Sequence, residues 1–238
     1  MIVLSIDSSS KVATAALFSE DTLLGEYVLN NKREHSVILM NMIENLLKDC
    51  NLTIDDVDGY IISKGPGSFT GLRIGMATVK GLSFGSNKPY VSISSLKSLA
   101  YNVSPFNGLI CPIIDALREN VYTALFKNKN GKLEKILDYT PMDMCDLIDL
   151  LKEKEEDVIF VGDGVLKHKQ YILENFEKAK FAPAHLNLVR ASSLAELGLD
   201  LIKNGSYDSP DSAPIYLKKP QAERELERRL KVINGNKD

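Results

Sequence analysis

Two aspartates, Asp7 and Asp115, each end an apolar β run in this 238-residue chain. A carboxylate at a strand end can hold a hydrated magnesium ion beside bound phosphates, and it suits a turn equally well. Ser8-Ser9-Ser10, directly after the first, could line a phosphate loop or close a hairpin. The densest signal is Lys64-Gly65-Pro66-Gly67-Ser68-Phe69-Thr70-Gly71-Leu72-Arg73-Ile74-Gly75, where an apolar run stops, the backbone turns through glycines and a helix begins. Amides at a helix N-terminus suit phosphate, yet the spacing fits no nucleotide motif. A Walker loop needs Gly-Lys-Ser/Thr at the helix start, whereas Lys64 precedes the glycines here. Gly65, Gly67 and Gly71 are spaced G-x-G-x-x-x-G, not the dinucleotide G-x-G-x-x-G. Gly67-Ser68 lacks the residue that a nucleophile elbow places between glycine and serine. A tight turn that lets a glycine-bearing helix pack closely is the leading reading, ahead of phosphate binding.

Metal and covalent chemistry find little support. His35, His168 and His185 include no pair three or four residues apart, so no helical metal site is built locally. Each reads as a surface or helix-end residue, with His35 opening the first helix. Cys50, Cys111 and Cys145 are too few and scattered for a disulfide framework or zinc site and read as reduced core residues. The net charge of −3 argues against a protein that holds nucleic acid by itself, so RNA work would pass through a partner. No apolar run approaches a membrane span and no basic segment opens the chain. A soluble, cytoplasmic protein is expected.

The elements that must position these residues follow from pattern. Met1–Ile6, Val12–Phe18 and Thr22–Leu29 read as three antiparallel strands, followed by a helix over Glu34–Cys50, a strand at Tyr60–Ser63, the glycine loop and a second helix from Gly71 to Phe84. Ser68 or Thr70 can cap that helix. A strand at Tyr90–Ile93 and a helix capped by Ser94 or Ser95 complete a βββαβαβα order. The pattern then recurs. Ile110–Ile114 ends at Asp115, and Ala16-Leu17-Phe18 reappears as Ala124-Leu125-Phe126; 115 − 7 and 126 − 18 both give 108. Thr140-Pro141 reads as the start of a helix to Glu155, Val158–Val161 as a strand into Gly162-Asp163-Gly164, Phe181–Val189 as a weak strand, and Ser192 or Ser193 as the cap of a helix to Lys203. Two βββαβα units describe the duplicated ribonuclease H-like architecture of actin, sugar kinases and heat-shock ATPases. The expected division is a first domain over 1–104 and a reduced second domain over 105–238. Gln221–Lys231 reads as a solvated or partner-facing helix that returns to the first domain.

On a helical wheel Leu39, Met40, Ile43, Leu46, Leu47 and Cys50 form a core stripe, which Ile38 and Met42 widen. The second helix is apolar nearly all round, and Gly71 and Gly75 permit close backbone approach. Burial within one domain accounts for this, as does a partner surface. The expectation is a partner surface formed by Ile38, Met42, Gly71, Leu72, Gly75, Met76 and Val79, with four helices bundled across it.

These residues together resemble the TsaB family, the accessory subunit of the bacterial machinery that makes threonylcarbamoyl-adenosine in transfer RNA. The carriers are Ile6-Asp7-Ser8-Ser9, His35-Ser36, the glycine block Gly65–Gly75 and Lys80-Gly81-Leu82. Weaker carriers are Ser94-Ser95-Leu96, Leu99-Ala100, Asp115-Ala116, Arg118, Val121-Tyr122 and Tyr216-Leu217-Lys218. The family often has a basic residue and a glycine where this chain has Leu117 and Asn120. The resemblance implies an actin-like, non-catalytic relative of the catalytic subunit TsaD, without cofactor or metal. It implies pairing with itself and with TsaD through the first domain's helices, a TsaE-like ATPase in the full complex, and transfer RNA reached only through that complex. Asp7, Ser8 and Ser9 would be a vestigial nucleotide site. An ATP-dependent small-molecule kinase on the same fold is the alternative, and a peptidase a weaker one.

Overall fold

The computed structural model describes residues 1–30, 35–116 and 120–217. Alternating and continuous apolar runs give a first sheet of β1 (Ile2–Asp7), β2 (Val12–Ser19), β3 (Thr22–Asn30), β4 (Gly59–Ser63) and β5 (Tyr90–Ile93), in the order β3-β2-β1-β4-β5. Helices α1 (His35–Asp49) and α2 (Phe69–Ser86) flank β4, and α3 (Ser95–Tyr101) follows β5. The second sheet contains β6 (Leu109–Asp115), β7 (Asn120–Lys129), β8 (Lys132–Asp143), β9 (Val158–Val161) and β10 (Ala179–Phe181), in the order β10-β9-β6-β7-β8. Helices α4 (Met144–Lys152) and α5 (Gly164–Asn175) flank β9, and α6 (Ala191–Lys203) closes the set. In each sheet the central strand pairs antiparallel on one side and parallel on the other. The fold is a duplicated, actin-like α/β architecture.

The duplication holds in topology, but the aspartates do not correspond. Thr14 lies opposite Asp7, whereas Tyr122, its counterpart in the second hairpin, lies opposite Ile114. A one-residue slip turns a side chain to the other face of a sheet. Val3, two pairs of residues before Asp7, faces the core between the sheets, while Cys111 and Ile113, on the face of Asp115, belong to the outer core under α4 and α5. The shared offset therefore identified the hairpins and misaligned the acids.

Three cores result. Leu4, Ile6, Leu17 and Ile62 pack under α1 and α2 on the outer face of the first sheet, and α4 with α5 cover the outer face of the second. Between the sheets the helices cross over: α3 packs on β6, β7 and β8, and α6 packs on β1, β2, β4 and β5. Each of these two helices thus packs on the sheet whose strands lie in the other half of the chain. Gly198 lets α6 approach the first sheet, where a Cβ would stand 2.8 Å from Ile61.

Several local expectations are corrected. Thr140 and Pro141 lie in β8, and α4 begins later, capped by Asp143, whose Oδ1 accepts from the Cys145 amide at 3.0 Å. β8 is an edge strand, where proline removes no needed ladder donor. Phe181 ends a three-residue strand, and a short 3-10 turn occupies Ala184–Leu186. The Gln221–Lys231 helix lies outside the described residues. Neither Ser192 nor Ser193 caps α6; Arg190 holds the N-cap position without a side-chain cap. Its first turn is satisfied from the first sheet instead. Glu26 on β3 accepts from the Ser192 amide and hydroxyl, both at 3.0 Å, and forms a forked ion pair with Arg190. The Glu26 side chain is 5% exposed, so removing it strands a half-buried guanidinium as well as two donors. Glu26→Ala should lower unfolding free energy by about 3 kcal/mol, and the double change Glu26→Leu/Arg190→Leu by less. Urea denaturation of both variants checks the order.

Candidate functional site

The site is built where β1 runs into the Ser8–Lys11 loop and α2 begins. Ser68 caps α2 by accepting from the Gly71 amide at 3.3 Å. Its own amide donates to Ser9 O at 2.6 Å, and Ser8 Oγ donates to Gly71 O at 2.8 Å. Gly67, Gly71 and Gly75, four apart, place hydrogen instead of a side chain against this loop. A Cβ at Gly67 would lie 2.2 Å from Ser9 O, one at Gly71 2.0 Å from Ser8 O, and one at Gly75 2.3 Å from Ser8 Oγ. The glycines of the expected partner surface thus face the chain's own serine loop.

That contact seals Ser8, while Asp7 lies on the other face of β1, the side of Val3 toward the core between the sheets. Asp7 is fully buried; its Oδ1 accepts from the Ser9 amide at 3.2 Å, and Oδ2 makes no hydrogen bond of standard geometry. Desolvation pushes its pKa up to about 6, against the opposing pull of the Ser9 hydroxyl and amide, Ser63 and the charge of His35. His35, opening α1, holds the loop from the other side through Nε2 and Ser10 O at 2.7 Å.

Ser9, Ser10 and Lys11 do reach a cleft of about 1140 Å³ between the two halves, lined opposite by Ile114, Asp115, Asp163 and Lys169. Asp163 Oδ1 accepts from the Asp115 amide at 3.1 Å, and Lys167 pairs with Asp115 at 3.3 Å. Burial first, then the charge of Asp115, raises the pKa of Asp163. Asp7 is absent from the lining, so Asp7 and Asp115 do not converge on one ion. Among the described residues no group of three His, Cys, Asp or Glu side chains could hold a metal. His168, expected at the surface, is buried on the inner side of α5.

The remaining interface residues are corrected similarly. Ile38, Met42, Leu72, Met76 and Val79 are all buried within the single chain, between α1, α2 and the first sheet. The second partner that the broad apolar arc of α1 required is α2, in the same domain. What α1 and α2 leave outside is Val37 (63% exposed), Met40 (49%), Ala77, Gly81, Phe84 (92%) and Gly85. The stretch after α6 that Pro210, Pro214 and Pro220 mark as extended around Ile215-Tyr216-Leu217 is a strap that returns to the first half. Lys80 Nζ donates to Pro210 O and Ser212 O, both at 2.6 Å, Ile215 donates its amide to Lys64 O at 2.7 Å, and Tyr216 packs 4.8 Å from Phe69.

The sequence model of the family described as TsaD, tRNA N6-adenosine threonylcarbamoyltransferase, matches residues 22–226. The tRNA threonylcarbamoyladenosine biosynthesis protein TsaB of Bacillus subtilis (strain 168) is 38% identical over 224 residues, 94% of this chain and 96% of that protein. The chain belongs to the TsaB family. A crystal structure from Pseudomonas aeruginosa, of an uncharacterized protein with similarity to the peptidase YeaZ, shares the fold with a TM-score of 0.77 at 22% identity, covering 91% of this chain and 99% of that one. The activator of 2-hydroxyisocaproyl-CoA dehydratase from Clostridium difficile, solved with bound ADPNP, reaches 0.50 at 13% identity over 87% and 96% of the two chains. These structural likenesses concern architecture alone.

Two outcomes distinguish the glycines and the buried acid. Gly71→Ala should destabilise by about 1–3 kcal/mol, because a backbone carbonyl must move, whereas Gly81→Ala, with nothing within 4 Å of its Cβ, should stabilise by up to about 1 kcal/mol. Thermal melting reads both. Asp7 binds its proton more tightly folded than unfolded, so its contribution is fully present below pH 3.8 and is lost as pH rises through about 6. Asp7→Asn should therefore gain stability relative to the parent, progressively between those values and by about 3 kcal/mol at pH 7.5. A parent and variant with parallel stability–pH curves would refute the buried carboxylate.

Proposed function

We propose that this chain is the non-catalytic accessory subunit for threonylcarbamoyl transfer to the adenosine beside the anticodon of transfer RNA, acting by pairing with a TsaD-like catalytic subunit. The observation that carries it is the 38% identity, across nearly the whole of both chains, with the Bacillus subtilis biosynthesis protein. A TsaE-like ATPase joins in the complete complex, pairing with a second copy occurs in the partner's absence, transfer RNA is met through the complex, and the cytoplasm is the setting. The division at residue 105 separates the half that bears the partner helices from the reduced half. Burial of Asp7 supports a non-catalytic role, since the acid that a kinase of this fold would turn toward bound phosphates is absent from the lining of the cleft. Ser9 is left as the only member of the vestigial nucleotide set lining it. Titration with ATP separates the readings: a small-molecule kinase binds and turns it over without partner, and the accessory subunit does not.

The partner face is the outside of α1 and α2. Val37 and Met40 on α1, with Ala77 and Gly81 on α2, form a shallow apolar surface where small residues admit a second pair of helices. A four-helix bundle forms there. Met40→Asp and Gly81→Arg should each abolish co-purification with the TsaD-like subunit and self-association by ultracentrifugation, leaving circular dichroism native. Met76→Asp, buried beneath the same helix, should instead unfold the chain. Association that survives both surface changes would place the interface elsewhere.

A further inference from the structure

Three lysines come together at the junction of the two halves, and among the described residues only one of them has an ion-pair partner. Lys64 follows β4, and its carbonyl holds Ile215 of the strap. Lys97 lies in the first turn of α3, whose Ser95 amide donates to Gly65 O at 3.0 Å, the residue beside Lys64. Lys135 stands opposite Phe126 on β8, on the face of the second sheet that carries α3. Lys135 pairs with Asp138 and lies 4.6 Å over the Tyr139 ring, but Lys64 and Lys97 make no ion pair among the described residues. Burial, with the charges of Lys64 and Lys135 beside it, holds the Lys97 ammonium below its ordinary pKa. Like charges drawn from three elements, one of them half-buried, leave a local excess of positive charge among the described residues.

The row continues past Lys64. Through Ile215 it reaches Tyr216, whose hydroxyl accepts from Arg73 Nε at 3.3 Å, and Arg73 lies 4.1 Å over the Phe69 ring. Cations interleaved with partly exposed aromatic rings suit a polyanion that also carries flat bases. In a chain of net charge −3, such a local excess of cations is a selective feature and not a consequence of composition.

We propose that Lys64, Lys97 and Lys135, extended by Arg73, Phe69 and Tyr216, form a strip that binds the phosphodiester backbone of RNA. The inference rests on the functional reading above, in which the assembled complex handles transfer RNA, and it assigns this subunit a direct part in holding it. The strip spans both halves, so an RNA lying along it contacts the start of α2, the start of α3 and the edge strand β8 together.

The test uses the chain assembled with its TsaD-like partner and a fluorescent, unmodified transfer RNA transcript. Each phosphate contact contributes about 0.7–0.9 to the slope of log affinity against log salt. Lys64→Gln/Lys97→Gln/Lys135→Gln should lower that slope by about 2 and weaken binding about tenfold or more, while co-purification with the partner is unchanged. The arginine triple variant should retain the parent slope, and Lys129→Gln/Lys152→Gln/Lys203→Gln, which removes equal charge elsewhere, should leave it unchanged. If the glutamine triple does not fold, Lys135→Glu alone on the exposed edge strand should lower the slope. An unchanged slope in a folded variant overturns the strip, as does an equal fall in the control variant. Loss of partner association, or of ATP binding with RNA binding intact, overturns it too, by making the lysines a protein contact or a nucleotide site. A parent chain that neither pairs with the partner nor supports threonylcarbamoyl transfer fails the functional reading itself, whereas a parent that does both beside an unaffected triple variant fails the strip alone.

Discussion

The approach of α2 to the serine loop is the constraint on which the first half depends. Three glycines in register along one helix face let a backbone carbonyl occupy the space of a side chain, and the Ser68 amide and Gly71 carbonyl fasten the loop at two points. Glycine weakens a helix by roughly 1 kcal/mol per position relative to alanine, so a helix carrying Gly71 and Gly75 on its inner face depends on what that face touches. Here it touches the end of the central strand. The contact fixes where α2 lies on the sheet, buries Ser8, and determines which of the helix's remaining faces are left for other uses.

Burial of Asp7, on the inner face at the end of the same strand, changes the chemistry available to the cleft. A carboxylate is useful to bound phosphates only when solvent or an ion can reach it, and Asp7 instead meets one amide and the hydroxyls of neighbouring serines. On the opposite wall Asp115 is pointed toward α5 and held by Lys167. The two strand-end acids differ: Asp7 is buried and absent from the cleft lining, whereas Asp115, turned by the register slip, lines it while paired with Lys167. The space between the halves persists, with Asp115 and Asp163 on one wall and no counterpart from Asp7 on the other.

Much of the architecture was legible because it lies in period and punctuation. Strand alternation, the glycine loop and the repeated hairpin each fix local geometry, so the order of elements along the chain and the duplication followed. The failures share a cause. Helical wheels report that a face is apolar without reporting what covers it, and Ile38, Met42 and Met76 were assigned outward although α1, α2 and the sheet meet there. The Thr140-Pro141 pair looks like a helix start because a capping residue and proline favour one locally, yet pairing with β7 extends β8 through it. The cap of α6 was unreadable in principle, since Glu26 is more than 160 residues away in sequence. The strap offered only prolines, which show that a segment is extended and not where it lies.

The two sides of α2 illustrate how one composition serves opposite purposes. Gly67, Gly71 and Gly75 are small because the serine loop occupies their space; Ala77, Gly81 and Gly85 are small with solvent before them. Only the first set is explained by the chain alone. A helix clamped on its inner face by the loop and along its flank by Lys80 and the strap cannot rotate to suit whatever meets its outer face. It therefore presents that face in one orientation, and ordering entropy that a mobile helix would lose on association has already been lost in folding. Exposure of Phe84 and Val37 on helices so firmly held is consequently a property of the folded state itself, stable without burial because the inner contacts, and not the outer ones, hold the helices in place.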